Sequence, residues 1–123
     1  MKTLLYVGAI YHLAFVAFHL SFWKIFEWKR ELKLLTAINQ NVVQILNLRL
    51  IYVFLVVACL SFFCADELLR EGFGKIIIFA VALFWLMRAA EQAVFFGLKN
   101  RLSAAVFVVF LFGAGLYGYL CLT

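Results

Sequence analysis

The chain has 123 residues, 68% hydrophobic and only 14% charged, with a mean hydropathy of +1.09. A soluble domain is about half apolar and about a quarter charged, so this composition excludes a water-soluble fold and identifies a membrane protein. The net charge of +5 is accounted for by basic residues that flank membrane segments beside anionic lipid, and it does not call for nucleic acid.

In chain order, the first uncharged run is Thr3–Trp23, long enough for the ~20 residues that a ~30 Å hydrocarbon core demands. Lys2 precedes it as in a secretory signal, but the run is long and no A-x-A pattern ends it, so we read an uncleaved span over about 3–26. His12 and His19 stand seven residues apart on one face of this helix. The segment FWKIFEWKRELKLL then interleaves Trp23, Phe26 and Trp28 with charges of both signs. It reads as an aromatic anchor in the headgroup layer, with docking of a partner protein as the alternative.

The next run, Leu50–Cys64, provides only ~22 Å of helix at 1.5 Å per residue, so span two has to begin near Val42 and extend over about 42–64. It thereby takes Gln44, Asn47 and Arg49 into the bilayer. Asp66, Glu67 and Glu71 follow in ADELLREGFG, a solvated turn. The third run, Ile76–Met87, is shorter still at ~18 Å, and span three (about 73–96) reaches full length only by including Arg88, Glu91 and Gln92. The uncharged Leu102–Thr123 supplies span four, about 101–122, with Ala114 and Gly118 in the small-xxx-small spacing that permits close helix approach, either within the bundle or between copies. The expected fold is an all-α, four-transmembrane-helix bundle, and the absence of proline predicts straight helices.

Counted from the helix midpoints, His19, Asn47 and Glu91 share one level ~9 Å from the midplane. Unpaired charge in hydrocarbon costs ~2.5–3.5 kcal/mol per residue even on the lenient insertion scale, so these groups should face one another, with Arg88–Glu91 as the expected ion pair. His12, His19, Gln44, Asn47, Arg88, Glu91 and Gln92 are therefore the candidates for a ligand, ion or proton pathway. The competing reading makes the layer adhesive, amides and an ion pair that hold a structural or assembly subunit together. Partners are then the lipid bilayer and either a second copy of the chain or other membrane subunits.

Motifs for chemistry are missing. His12 and His19 lie ~10.5 Å apart along one helix and cannot share one haem iron. No Glu-x-x-His pair supports a di-iron site, so no metal site is expected and no cofactor is specified. Cys59, Cys64 and Cys121 form no C-x-x-C; Cys59 reads as a small core residue, while Cys64 and Cys121 lie near one surface and within reach of a disulfide. With no nucleophile or phosphate-loop motif, nothing points to an enzyme.

Six cationic residues flank the first and third connections (Lys24, Lys29, Arg30, Lys33, Lys99 and Arg101), against three on the other side (Lys2, Arg70 and Lys75). The bias places both termini outside, in an inner membrane. A C-terminal alkaline phosphatase fusion should then be active and a green fluorescent protein fusion dark; the opposite pattern reverses the topology.

Overall fold

The computed structural model describes residues 1–123. Its four long apolar helices are Lys2–Leu20, Ala37–Phe63, Phe73–Phe96 and Arg101–Leu122, spans one to four below. No strand is present, and the chain is an all-α integral membrane protein. The reason is general: hydrocarbon offers no water to a peptide group, and a helix satisfies its N–H and C=O groups within one segment.

Span one ends at Leu20 rather than near residue 26. Ser21 turns its Oγ–H back onto the Ala17 carbonyl (2.8 Å), and the chain continues as two short helical turns, Phe22–Ile25 and Trp28–Glu31. Glu27 separates them in the left-handed region (φ 51°), a conformation that disfavours a residue with a Cβ. Span two starts earlier than Val42, at Ala37, because Thr36 caps it by accepting the Asn39 N–H (3.3 Å). Its 27 residues give ~40 Å of helix, so its first turns stand above the hydrocarbon.

Span three is not α-helical throughout. Its last five residues, Gln92–Phe96, form a π turn that Gly97 closes at φ 74°. The Gln92 amide donates to Ser103 Oγ (2.8 Å), and Ser103 donates to the Gly97 carbonyl (2.5 Å), which binds this wide turn to the start of span four. Proline is therefore not needed to break the α-helical register; a side-chain bond to the next helix suffices.

Spans one and two form one antiparallel hairpin and spans three and four another, and span one meets span four between them. That junction is reciprocal. Tyr11 of span one lies over Gly113 and donates to the Val109 carbonyl (2.8 Å), while Tyr117 of span four lies over Gly8. A Cβ at either glycine would collide with the facing ring. Of the predicted Ala114–Gly118 pair, Ala114 packs against the core and Gly118 has nothing within 4 Å of where a Cβ would stand. Within the bundle, close approach falls at Gly8 and Gly113.

Two cysteine expectations also change. Cys59 faces outward while its neighbour Ala58 fills the core, since the helical face is set by Phe54, Ala58 and Ser61. Cys64 and Cys121 are free thiols, and Cys121 turns toward the Lys75 carbonyl, 4.0 Å away.

Gly113→Leu should drive Tyr11 off its seat and destabilise the protein by about 1–3 kcal/mol, as overpacking does. Gly115→Leu, at a position with nothing within 4 Å, should leave thermal unfolding in detergent unchanged. Equal effects at both positions would remove the tyrosine-on-glycine junction from the account of packing.

Candidate functional site

Each span contributes one aromatic ring to a layer across the bundle: Phe15, Phe54, Trp85 and Phe110. Trp85 sits between Phe54 (centroids 5.5 Å apart, 13° between planes) and Phe110 (5.7 Å, 22°), with Phe15 4.7 Å away. Offset aromatic contacts of this kind contribute ~0.5–1.5 kcal/mol each beyond their burial. The indole N–H needs an acceptor in this apolar setting, and His12 Nε2 supplies it at 3.0 Å.

That bond defines the state of His12. An indole nitrogen only donates, so Nε2 must carry the lone pair and Nδ1 the proton. Nδ1–H donates to the Gly8 carbonyl at 2.8 Å and lies 3.4 Å from the Tyr117 hydroxyl, which in turn meets Ser61 Oγ at 2.7 Å. Trp85, His12, Tyr117 and Ser61 come from spans three, one, four and two, and all four are almost fully buried. His12 is thus bonded within the core, on the far side of the aromatic layer from the other predicted polar residues.

On the near side of that layer the two hairpins diverge around a cavity of about 940 Å³, within the range of small-molecule sites. Phe15, Phe54, Trp85 and Phe110 form its inner wall, and Phe18, Phe22 and Phe84 extend the aromatic lining. Its polar atoms come from His19, Arg88, Glu91, Gln92, Asn100 and Ser103.

His19 and Asn47 stand at one level, as their positions in the sequence predict. The Asn47 amide donates to the His19 carbonyl (3.0 Å), which turns Oδ1 to the ring to accept from Nδ1–H (2.7 Å). Nε2 is left as an acceptor, on a ring that lines the cavity. Gln44 is farther out and accepts from the Trp23 indole (2.9 Å) while donating to the Gln40 carbonyl (3.1 Å).

Arg88 does not pair with Glu91. The ion pairs of the chain are Lys2–Asp66 and Arg30 with Glu27 and Glu31. Arg88 donates to Gln92 Oε1 (3.2 Å), one full turn along, and places its guanidinium over the Phe110 ring, 4.6 Å from the centroid. Glu91, three residues along, is exposed and lines the cavity without bonding the guanidinium. The guanidinium follows the inner face with Gln92, and no carboxylate bonds it. Arg49 is likewise exposed, without an acidic partner.

The structure also adds residues that sequence reasoning passed over: Trp85, Tyr117, Ser61 and Ser103. A mid-membrane indole was the available signal, because Trp85 requires an acceptor and His12 is the only histidine at its depth. The sequence matches no family model, no curated protein and no solved structure.

Trp85→Phe should destabilise the fold by about 1–3 kcal/mol, since it leaves His12 Nε2 buried without a donor. Combined with His12→Leu, it should cost less than the sum of the two single changes, with a coupling of about 0.5–3 kcal/mol in denaturant unfolding. Strict additivity would mean that the two side chains do not act together.

Proposed function

We propose that the protein binds a small amphiphilic solute in the cavity between its two hairpins. The observation that carries this reading is Arg88: a guanidinium on a largely aromatic wall, held by one amide and one ring and ion-paired to no carboxylate, although Glu91 lines the same cavity. A buried or half-buried cation without a counter-ion is costly, and an incoming anion removes that cost. The complementary solute has an apolar body for Phe15, Phe18 and Phe22 and a carboxylate or similar acceptor for Arg88. His19 Nε2 accepts a donor on the same solute, and Gln92 positions Arg88. Asn47 orients the His19 ring. The aromatic layer supports binding over continuous passage of ions or protons, because His12, Ser61 and Tyr117 are sealed behind it.

A second reading draws on the other half of the polar layer. Asn47 and Gln44 spend their hydrogen bonds on span one and the connection that follows it, as adhesive groups in a structural or assembly subunit would. The two readings separate in one experiment. In nanodiscs carrying the purified protein, dodecanoate should bind more tightly than uncharged dodecanol, and Arg88→Met should weaken dodecanoate roughly ten- to a hundredfold while sparing dodecanol. Equal binding of acid and alcohol, or equal loss of both in the variant, rejects the solute site. Glu91→Gln should change stability by no more than ~0.5 kcal/mol, as an exposed, unpaired carboxylate does.

A further inference from the structure

The connection between spans one and two holds a second concave site, which shares no residue with the interhelical cavity. Its segment has four basic side chains and two carboxylates, and the pairing among them is uneven. Arg30 takes both acids, Glu27 Oε2 at 2.8 Å and Glu31 Oε1 at 3.0 Å. Lys24, Lys29 and Lys33 are left with no acidic partner, and all three line one groove of about 510 Å³.

Local backbone geometry produces this convergence. The left-handed turn at Glu27 reverses the chain between Lys24 and Lys29, so lysines before and after the bend face the same groove. Leu32, nearly buried, is its floor. Trp23 and Trp28 form an apolar wall, their rings 5.2 Å apart and nearly perpendicular, and the Trp23 indole is anchored to Gln44 of span two. Three ammonium groups around one concavity repel one another, and an anion at its centre replaces that repulsion with attraction to all three. Lysine ammonium groups act as point charges and suit the phosphate group, which presents oxygen to every side.

Depth selects the source of the phosphate. The groove begins where span one ends and lies against the first turns of span two, at the headgroup level where tryptophan is enriched and where phospholipid phosphate is the most abundant anion. We propose that this groove is a binding site for the phosphate headgroup of an anionic phospholipid, with Lys24, Lys29 and Lys33 on the phosphate and Trp23 and Trp28 against the glycerol and upper acyl chain.

Nanodiscs of phosphatidylcholine doped with phosphatidylglycerol, followed by native mass spectrometry of the released protein, test it. The wild-type chain should retain phosphatidylglycerol in preference to phosphatidylcholine. The combined Lys24→Gln, Lys29→Gln and Lys33→Gln variant should bind phosphatidylglycerol roughly a hundredfold more weakly, and Lys29→Gln alone roughly fivefold. Lys99→Gln, which removes one charge from a different connection, should retain the preference. The single variant keeps the test valid should the triple variant fail to fold. An undiminished preference in Lys29→Gln, or an equal loss in Lys99→Gln, overturns the proposal, since the effect would then be general surface charge. Inorganic phosphate should not displace the lipid; if it occupies the groove as tightly as phosphatidylglycerol, the ligand is free phosphate and the lipid assignment falls.

Discussion

The hydrogen bond from the Trp85 indole to His12 Nε2 is the constraint around which the bundle is arranged. Lipid-facing and core-facing side chains here are equally apolar, so hydrophobicity cannot tell a helix which face to turn inward. A mid-membrane indole N–H can, because only one acceptor is within its reach. Once Trp85 is satisfied by span one, Nδ1 of the same imidazole is committed to Gly8, beside Tyr117 of span four and Ser61 of span two. Interhelical hydrogen bonds in membranes contribute only ~0.6 kcal/mol on average. Their effect is therefore on orientation: any rotation of one helix leaves a donor or acceptor unmatched at a cost of ~1–3 kcal/mol.

Trp85 also belongs to the layer of rings below, and this dual membership separates the two halves of the molecule. On one side, polar groups are buried, mutually bonded and close-packed. On the other, the hairpins diverge and polar groups are only partly matched. His19 has one engaged nitrogen and one open one, and Arg88 has an amide and a ring but no bonded carboxylate. Both regions are polar on helices of near-identical hydropathy, and the difference between them is whether each group's hydrogen-bonding capacity is met within the chain.

The broad architecture was legible in the sequence because bilayer thickness is a ruler. Runs too short to cross forced spans two and three to absorb polar residues, and both helices do contain them. Depth arithmetic placed His19 level with Asn47, which are bonded. Direction around the helix axis was less legible. Arg88 and Glu91 are close in sequence, yet the guanidinium follows Gln92 and Phe110 while the carboxylate is exposed and does not bond it. Cys59, expected in the core, faces outward for the same reason: in an all-apolar helix no amphipathic pattern distinguishes core from lipid. The π turn and the left-handed Glu27 depend on side-chain bonds to Ser103 and Arg30, which no local propensity encodes.

Tyr11 over Gly113 and Tyr117 over Gly8 form a pair of matched seats along the line where the hairpins touch. Sliding one hairpin along the other would unseat both rings at once, and separating them would lift the Tyr11 hydroxyl from the Val109 carbonyl. The junction therefore fixes the register of the two hairpins, and with it the depth at which His19 and Arg88 line the same cavity.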